Sequence, residues 1–253
     1  MYNISCRTMI LLGAIKAKED VKMKRIVSLF VLITVIFALA SCGPKVMSYA
    51  DYDAAAMDAE VVVDVYVQDH QSWWDNKITV YAADEDGAYF LYEMACSEED
   101  AAKLTPGTKI RVTGVKGEYA GEIEIMNATF EFLDSKDTYI APAKDVTALV
   151  GSDALEKEMN KLVAFKGMTV VEYEEGTGAA VEYQGGIPGK DIYVKLSNGT
   201  NVVECCVESY LTGPDSELYK AVGALNIGDV VDVEGFLYWY NGANPHITKL
   251  TVK

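Results

Sequence analysis

The side chains best suited to chemistry in this sequence are aromatic, and they come in short runs. All three tryptophans fall in two of these, Trp73-Trp74 and Tyr238-Trp239-Tyr240, and Tyr119 stands in a third polar stretch. Flat π faces of this kind stack on bases or sugar rings, or else fill a hydrophobic opening. His70 and His246 are the only histidines and lie far apart. A zinc site wants several nitrogen or sulfur ligands, so no metal is expected. Asp84-Glu85-Asp86-Gly87 has the acids of a calcium loop but not its later ligands or closing glutamate, and reads as a turn. Cys96, Cys205 and Cys206 read as buried thiols; as strand neighbours, Cys205 and Cys206 face opposite ways. No nucleophile–base pattern, phosphate-binding glycine loop or HExxH motif occurs, so neither enzymatic activity nor a cofactor is expected.

These residues are carried by a phrase used twice. Leu104–Gly121, LTPGTKIRVTGVKGEYAG, returns as Leu225–Gly242, LNIGDVVDVEGFLYWYNG. Leu104, Gly107, Ile110, Val112, Gly114, Tyr119 and Gly121 meet Leu225, Gly228, Val231, Val233, Gly235, Tyr240 and Gly242 at a constant offset of 121. The alternation of Ile110 and Val112, or Val231 and Val233, with charged residues is the two-residue period of a half-buried strand. The first shared glycine suits a tight turn before that strand. The later one, Gly114 or Gly235, suits a bend or a close backbone approach.

Around the first copy, Glu60–Gln68, Ile78–Ala83, Ala88–Met94 and Glu122–Phe132 alternate as strands, and Ser97 caps a short helix that ends before Pro106. Around the second, the strands are Lys161–Glu172, Asp191–Leu196, Asn201–Val207 and His246–Lys253, with a helix over Ser216–Ala224. Asp86-Gly87 and Asn198-Gly199 mark the hairpins.

The order strand, strand, strand, short helix, strand, strand, with the Leu-x-x-Gly-x-x-Val-x-Val-x-Gly phrase, resembles the oligonucleotide/oligosaccharide-binding (OB) fold. The expected fold class is all-β with short helices, built as two tandem five-stranded Greek-key OB-like barrels over 59–133 and 160–253, joined by a linker with helical turns over 134–159. The resemblance places Trp73, Trp74, Tyr119, Tyr238, Trp239 and Tyr240 in the loops after the first and fourth strands, where such barrels take ligands. They either stack on a ligand or plug the barrel ends and pack the modules together.

The N-terminus has a basic start at Met23-Lys24-Arg25, an apolar run Ile26–Leu39, and then Leu39-Ala40-Ser41-Cys42-Gly43. This resembles the signal peptide and lipobox of bacterial lipoproteins. That implies a signal over 23–41, lipidation at Cys42, a tether over 42–58 and a membrane-anchored place in the cell envelope facing outside the cytoplasm. Residues 1–22 do not fit a signal peptide, and translation is expected to start at Met23.

From Cys42 onward 36 acidic residues face 16 basic ones, a net charge of −20. Such a surface repels phosphate backbones, which disfavours nucleic acid as a partner. The expected function is therefore a lipid-anchored, non-enzymatic binding protein for a glycan, peptide or protein. Binding of single-stranded nucleic acid, which the OB resemblance also implies, is the alternative.

Overall fold

A computed structural model describes residues 45–253. Among these residues ten of twelve strands form two barrels of one topology. The first contains β1 (Glu60–His70), β2 (Lys77–Ala83), β3 (Ala88–Ala95), β4 (Lys109–Tyr119) and β5 (Glu122–Phe132). It closes in the order β1-β2-β3-β5-β4, with β4 returning to β1. Only the β3–β5 contact is parallel. In the second, β7 (Leu162–Val171), β9 (Ile192–Ser197), β10 (Val202–Val207), β11 (Val230–Phe236) and β12 (His246–Val252) take the same places. They run β7-β11-β12-β10-β9, and the β7–β9 pairing closes the ring. β6 (Lys144–Asp145) and β8 (Val181–Tyr183) add to its rim. The OB-like pair of barrels is thus present, with short helices as its only helical content among the described residues.

The shared glycines do the same work in both copies. Gly107 and Gly228 adopt φ of 87° and 94°, a turn conformation that side chains disfavour. Gly114 sits against the backbone of Met126 and Ala128, and Gly235 against the carbonyl of His246, with no room for a Cβ in either place. The ladder shifts register at both points, so each glycine lets a strand bend tightly enough to close a small barrel. Val61, Val63, Val65, Leu91, Ile110 and Val112 fill the first barrel; Phe165, Met168, Val194, Leu196, Val231 and Val233 fill the second.

The stretch expected as a tether differs over its described part. Ser48 caps α1 (Tyr49–Ala54) through a capping box with Asp51, and Met47 bridges to Val63. Tyr52 is buried between Tyr49 and Tyr89, and Lys116 Nζ donates to the carbonyls of Tyr52, Asp53 and Ala55. An aromatic side chain at every third position, Tyr49 and Tyr52, gives a one-and-a-half-turn helix an apolar face to bury, which a free tether lacks. In the linker, two 3-10 turns, Thr147–Leu149 and Glu156–Glu158, take the place of the helical turns, and Val146, Val150 and Leu155 are buried against the second barrel. Cys42, the segment 23–41 and residues 1–22 lie outside the described residues. Among the described residues no helix is long and apolar enough to cross a membrane.

Val46–Lys253 form one compact unit. A third small core of Tyr81, Phe90 and Phe236, flanked by Leu162, Leu211 and Tyr238, joins the barrels. Tyr81 and Phe236 stack at 4.3 Å with 12° between their planes. The Ser72 amide donates to the Tyr210 carbonyl, and the Asn241 amide to the Ala120 carbonyl, both at 2.7 Å.

A candidate ligand cleft at the junction of the barrels

An OB barrel offers ligands the face of its second and third strands and the loops after its first and fourth. In the second barrel all three surround one cleft of about 670 Å3. Tyr193 of β9 and Glu204 and Cys206 of β10 make its floor. Tyr173 and Gln184 come from the loop after β7, and Tyr238, Tyr240 and Asn244 from the loop after β11. Phe90 and Tyr92 of the first barrel form the facing wall, with Gln71 at the edge.

Local sequence explains why these side chains face outward. In β10, Val203 and Cys205 enter the core while Glu204 and Cys206 point to the other side of the sheet. Cys206 is buried all the same, because the neighbouring barrel covers that side. Burial pushes both thiols far above their ordinary value, so neither is a thiolate nucleophile near neutral pH.

The cleft is acidic. Asp191, Glu204 and Glu208 line it, and no lysine or arginine does. Glu208 is only 6% exposed. Its Oε1 accepts from the Tyr210 amide at 3.0 Å; Oε2 makes no hydrogen bond of ordinary length, although the Gln71 side chain and the Leu211 amide come close enough to the carboxyl to favour its charged form. Desolvation, with the Asp191 charge adding to it, raises the Glu208 carboxyl to about 7. His246, at the base of β12, is held neutral by burial, which lowers its pKa to about 4. Beside the cleft, Glu122 is wholly buried: Oε2 accepts from the Trp239 amide at 2.7 Å and Oε1 has no partner. Desolvation raises Glu122 to about 8 and Glu124 to about 7.

The six aromatic residues singled out from the sequence take different places. Tyr238 and Tyr240 line the cleft. Tyr119 meets Tyr240 at 6.2 Å, at the tip where the loops after the fourth strands touch. Trp239 is half-buried with its ring against Gly121, where a Cβ would lie 2.7 Å from Cδ1. Trp73 turns inward, packs on the first core and donates from Nε1 to the Cys96 carbonyl at 2.9 Å. Trp74 turns outward, 70% exposed, into a second groove of about 320 Å3 with Ile78, Tyr92, Lys77 and Tyr210. Gln71, Tyr92 and Tyr210 belong to both openings, so the two run together.

Sequence reasoning missed Phe90, Tyr92, Tyr173, Tyr193, Glu204, Glu208 and Tyr210. One signal was present: β2 and β3 are apolar on both faces, as strands covered on both sides are. Among the described residues no group of three or more His, Cys, Asp and Glu is gathered to hold a metal ion.

No protein-family model and no curated relative matches the chain. Among solved structures it overlays on the p204 HINb domain with a TM-score of 0.35 and 13% identity, covering 75% of this chain and 95% of that one. A murine DNA-binding protein bound with double-stranded DNA gives a TM-score of 0.36 and 10% identity over 76% and 94% of the two chains. Asparaginyl-tRNA synthetase from Pyrococcus horikoshii gives 0.27 and 23% identity over 36% of this chain; the match spans only 19% of the synthetase. The OB-like topology is read from the order and pairing of the strands themselves.

Proposed function

We propose that this chain is a non-enzymatic binding protein of a bacterial cell envelope, anchored through a lipid on Cys42, which holds a glycan, peptide or protein group in the cleft of its second barrel. The observation that carries this reading is the coincidence of one cleft with all three ligand-facing parts of an OB-like barrel, walled by the other barrel's Phe90 and Tyr92. The rings supply apolar contact, and Gln184, Asn244 and the carboxyls supply hydrogen bonds. Calorimetric titration of the chain with glycans, basic and acidic peptides and oligonucleotides tests it. A ligand whose affinity drops on Tyr240→Ala supports the cleft; ligands indifferent to every cleft substitution count against it. Anchoring is tested separately: Cys42→Ala releases the protein from the membrane fraction if the lipid holds it there.

Single-stranded nucleic acid is the second reading. The groove of Trp74, Tyr92 and Tyr210 favours it, because its exposed rings beside Lys77 could stack on successive bases. Its signature is an oligonucleotide affinity that falls steeply with salt and is lost on Trp74→Ala.

A further inference from the structure

The cleft combines tyrosine rings with carboxylates and has no positive side chain in its lining. Phosphate, sulfate or carboxylate ligands would meet the Asp191 and Glu204 carboxylates, and the nearest ammonium, that of Lys195, is already held by Tyr173. A buried carboxyl oxygen without a partner, as Glu208 Oε2 is, costs free energy until a donor reaches it. One ring of the cleft already seats an ammonium: Lys195 Nζ lies 4.7 Å over the Tyr173 ring and donates to its carbonyl at 2.8 Å. That charge belongs to the protein and occupies one face of Tyr173. Among the described residues no lysine or arginine lies over the rings of Tyr193, Tyr238 or Tyr240, and Tyr238 packs on His246 and Phe90, which leaves Tyr193 and Tyr240 as the more open faces.

Resting on the cleft reading above, we propose that the ligand presents an ammonium group, which enters between the tyrosine rings, takes the charge of Glu204 and Asp191, and donates to the free oxygen of Glu208. Ring faces attract a cation through their quadrupole, most strongly where water is excluded, and the carboxylates add the opposite charge. A free amine and a lysine side chain of a peptide carry the same group, so both fit this chemistry.

The test is titration calorimetry of the full chain with tetramethylammonium, 1,5-diaminopentane, tetralysine, a neutral oligosaccharide and a ten-nucleotide thymidine strand. The ammonium probes bind, and Glu204→Gln and Tyr240→Ala each weaken them about tenfold, the scale of one charge or ring contact. Glu208→Gln does the same; Glu204 is only half-buried, so its variant answers the question even if the Glu208 variant folds poorly. Tighter binding of tetralysine than of diaminopentane identifies a peptide source, and the reverse a free amine. Binding of the oligosaccharide alone, weakened by Tyr240→Ala, overturns the ammonium inference and leaves the cleft reading standing. Ammonium binding unchanged by all three substitutions also overturns it. If no probe of any class is affected by them, both readings fail.

Discussion

The Tyr81 hydroxyl of the first barrel and Nδ1 of His246 in the second lie 2.6 Å apart, both buried at the junction. His246 stands at the register position of Glu124, paired with Cys206 as Glu124 pairs with Phe90. One barrel thus uses this position for a carboxyl and the other for an imidazole that meets its neighbour's hydroxyl. In the neutral tautomer that carries its proton on Nε2, Tyr81 donates to Nδ1; in the other, Nδ1 donates to the Tyr81 oxygen.

Tyr81→Phe keeps the stack on Phe236 and removes the hydroxyl alone. A buried ring nitrogen left without its partner is expected to cost about 1–3 kcal/mol. Chemical denaturation of the variant should show a lower midpoint with an unchanged slope, the outcome expected of two barrels that share one compact unit and unfold as one. A slope that splits into two transitions would mean that the junction, and not only its hydrogen bond, depends on this hydroxyl.

The pH dependence of stability follows from the buried groups. Glu122, Glu124 and Glu208 hold protons in the folded state up to about 8, 7 and 7, well above their ordinary range, through desolvation. The folded state therefore binds more protons than the unfolded chain from about pH 4.5 upward, and stability falls as pH rises through that window. His246 acts oppositely: its folded value near 4 lies below the unfolded 6.5, so its contribution is lost as pH falls from 6.5 to 4. Above pH 6.5 only the carboxyls remain, and the melting temperature should decline towards pH 8. Each proton contributes a slope of at most about 1.4 kcal/mol per pH unit. Glu122→Gln should flatten the decline; a profile as steep as that of the parent would show that Glu122 ionises without penalty.

The adjacent tryptophans should separate cleanly. Trp73→Ala removes a ring packed on the first core and a hydrogen bond to Cys96, with an expected loss of about 3 kcal/mol. Trp74→Ala removes a ring that is mostly in water, with a change within about 0.5 kcal/mol. Urea melts of the two variants check this. Equal losses would place both rings in the packing.

Much of the fold was legible because closing a small barrel makes local demands. Gly107 and Gly228 need positive φ, and Gly114 and Gly235 have backbone where a Cβ would go, so the same phrase had to recur at the same spacing. The cleft was less legible because it belongs to the junction. Tyr193 and Glu204 read as the solvent side of ordinary strands, and only a neighbouring barrel turns that side into a floor. Trp73 and Trp74 differ by one position, and alternation in an extended chain sends neighbours to opposite sides without saying which faces the core. The packed helix α1 was missed because its apolar face is two tyrosines in a run of alanines and aspartates.

That helix supplies the last prediction. Lys116 is almost wholly buried, and its Nζ donates to Tyr52, Asp53 and Ala55 carbonyls at 3.0, 2.7 and 3.1 Å. These are carbonyls at the C-terminal end of α1, where a helix leaves acceptors unmatched and where its dipole favours a positive charge. No lysine or arginine of the helix itself stands in its last turn, so a strand residue of the first barrel supplies the cation from outside. Lys116→Met keeps most of the aliphatic stem and removes all three donors. The expected loss is about 2 kcal/mol or more, the scale of charge-assisted hydrogen bonds. It should be felt first over Tyr49–Ala54, as faster amide exchange and earlier proteolytic cutting there than in β1 to β5. If the helix kept its protection in this variant, the Tyr49, Tyr52 and Tyr89 rings and the Met47–Val63 bridge would hold it to the barrel, and the carbonyl contacts would be incidental.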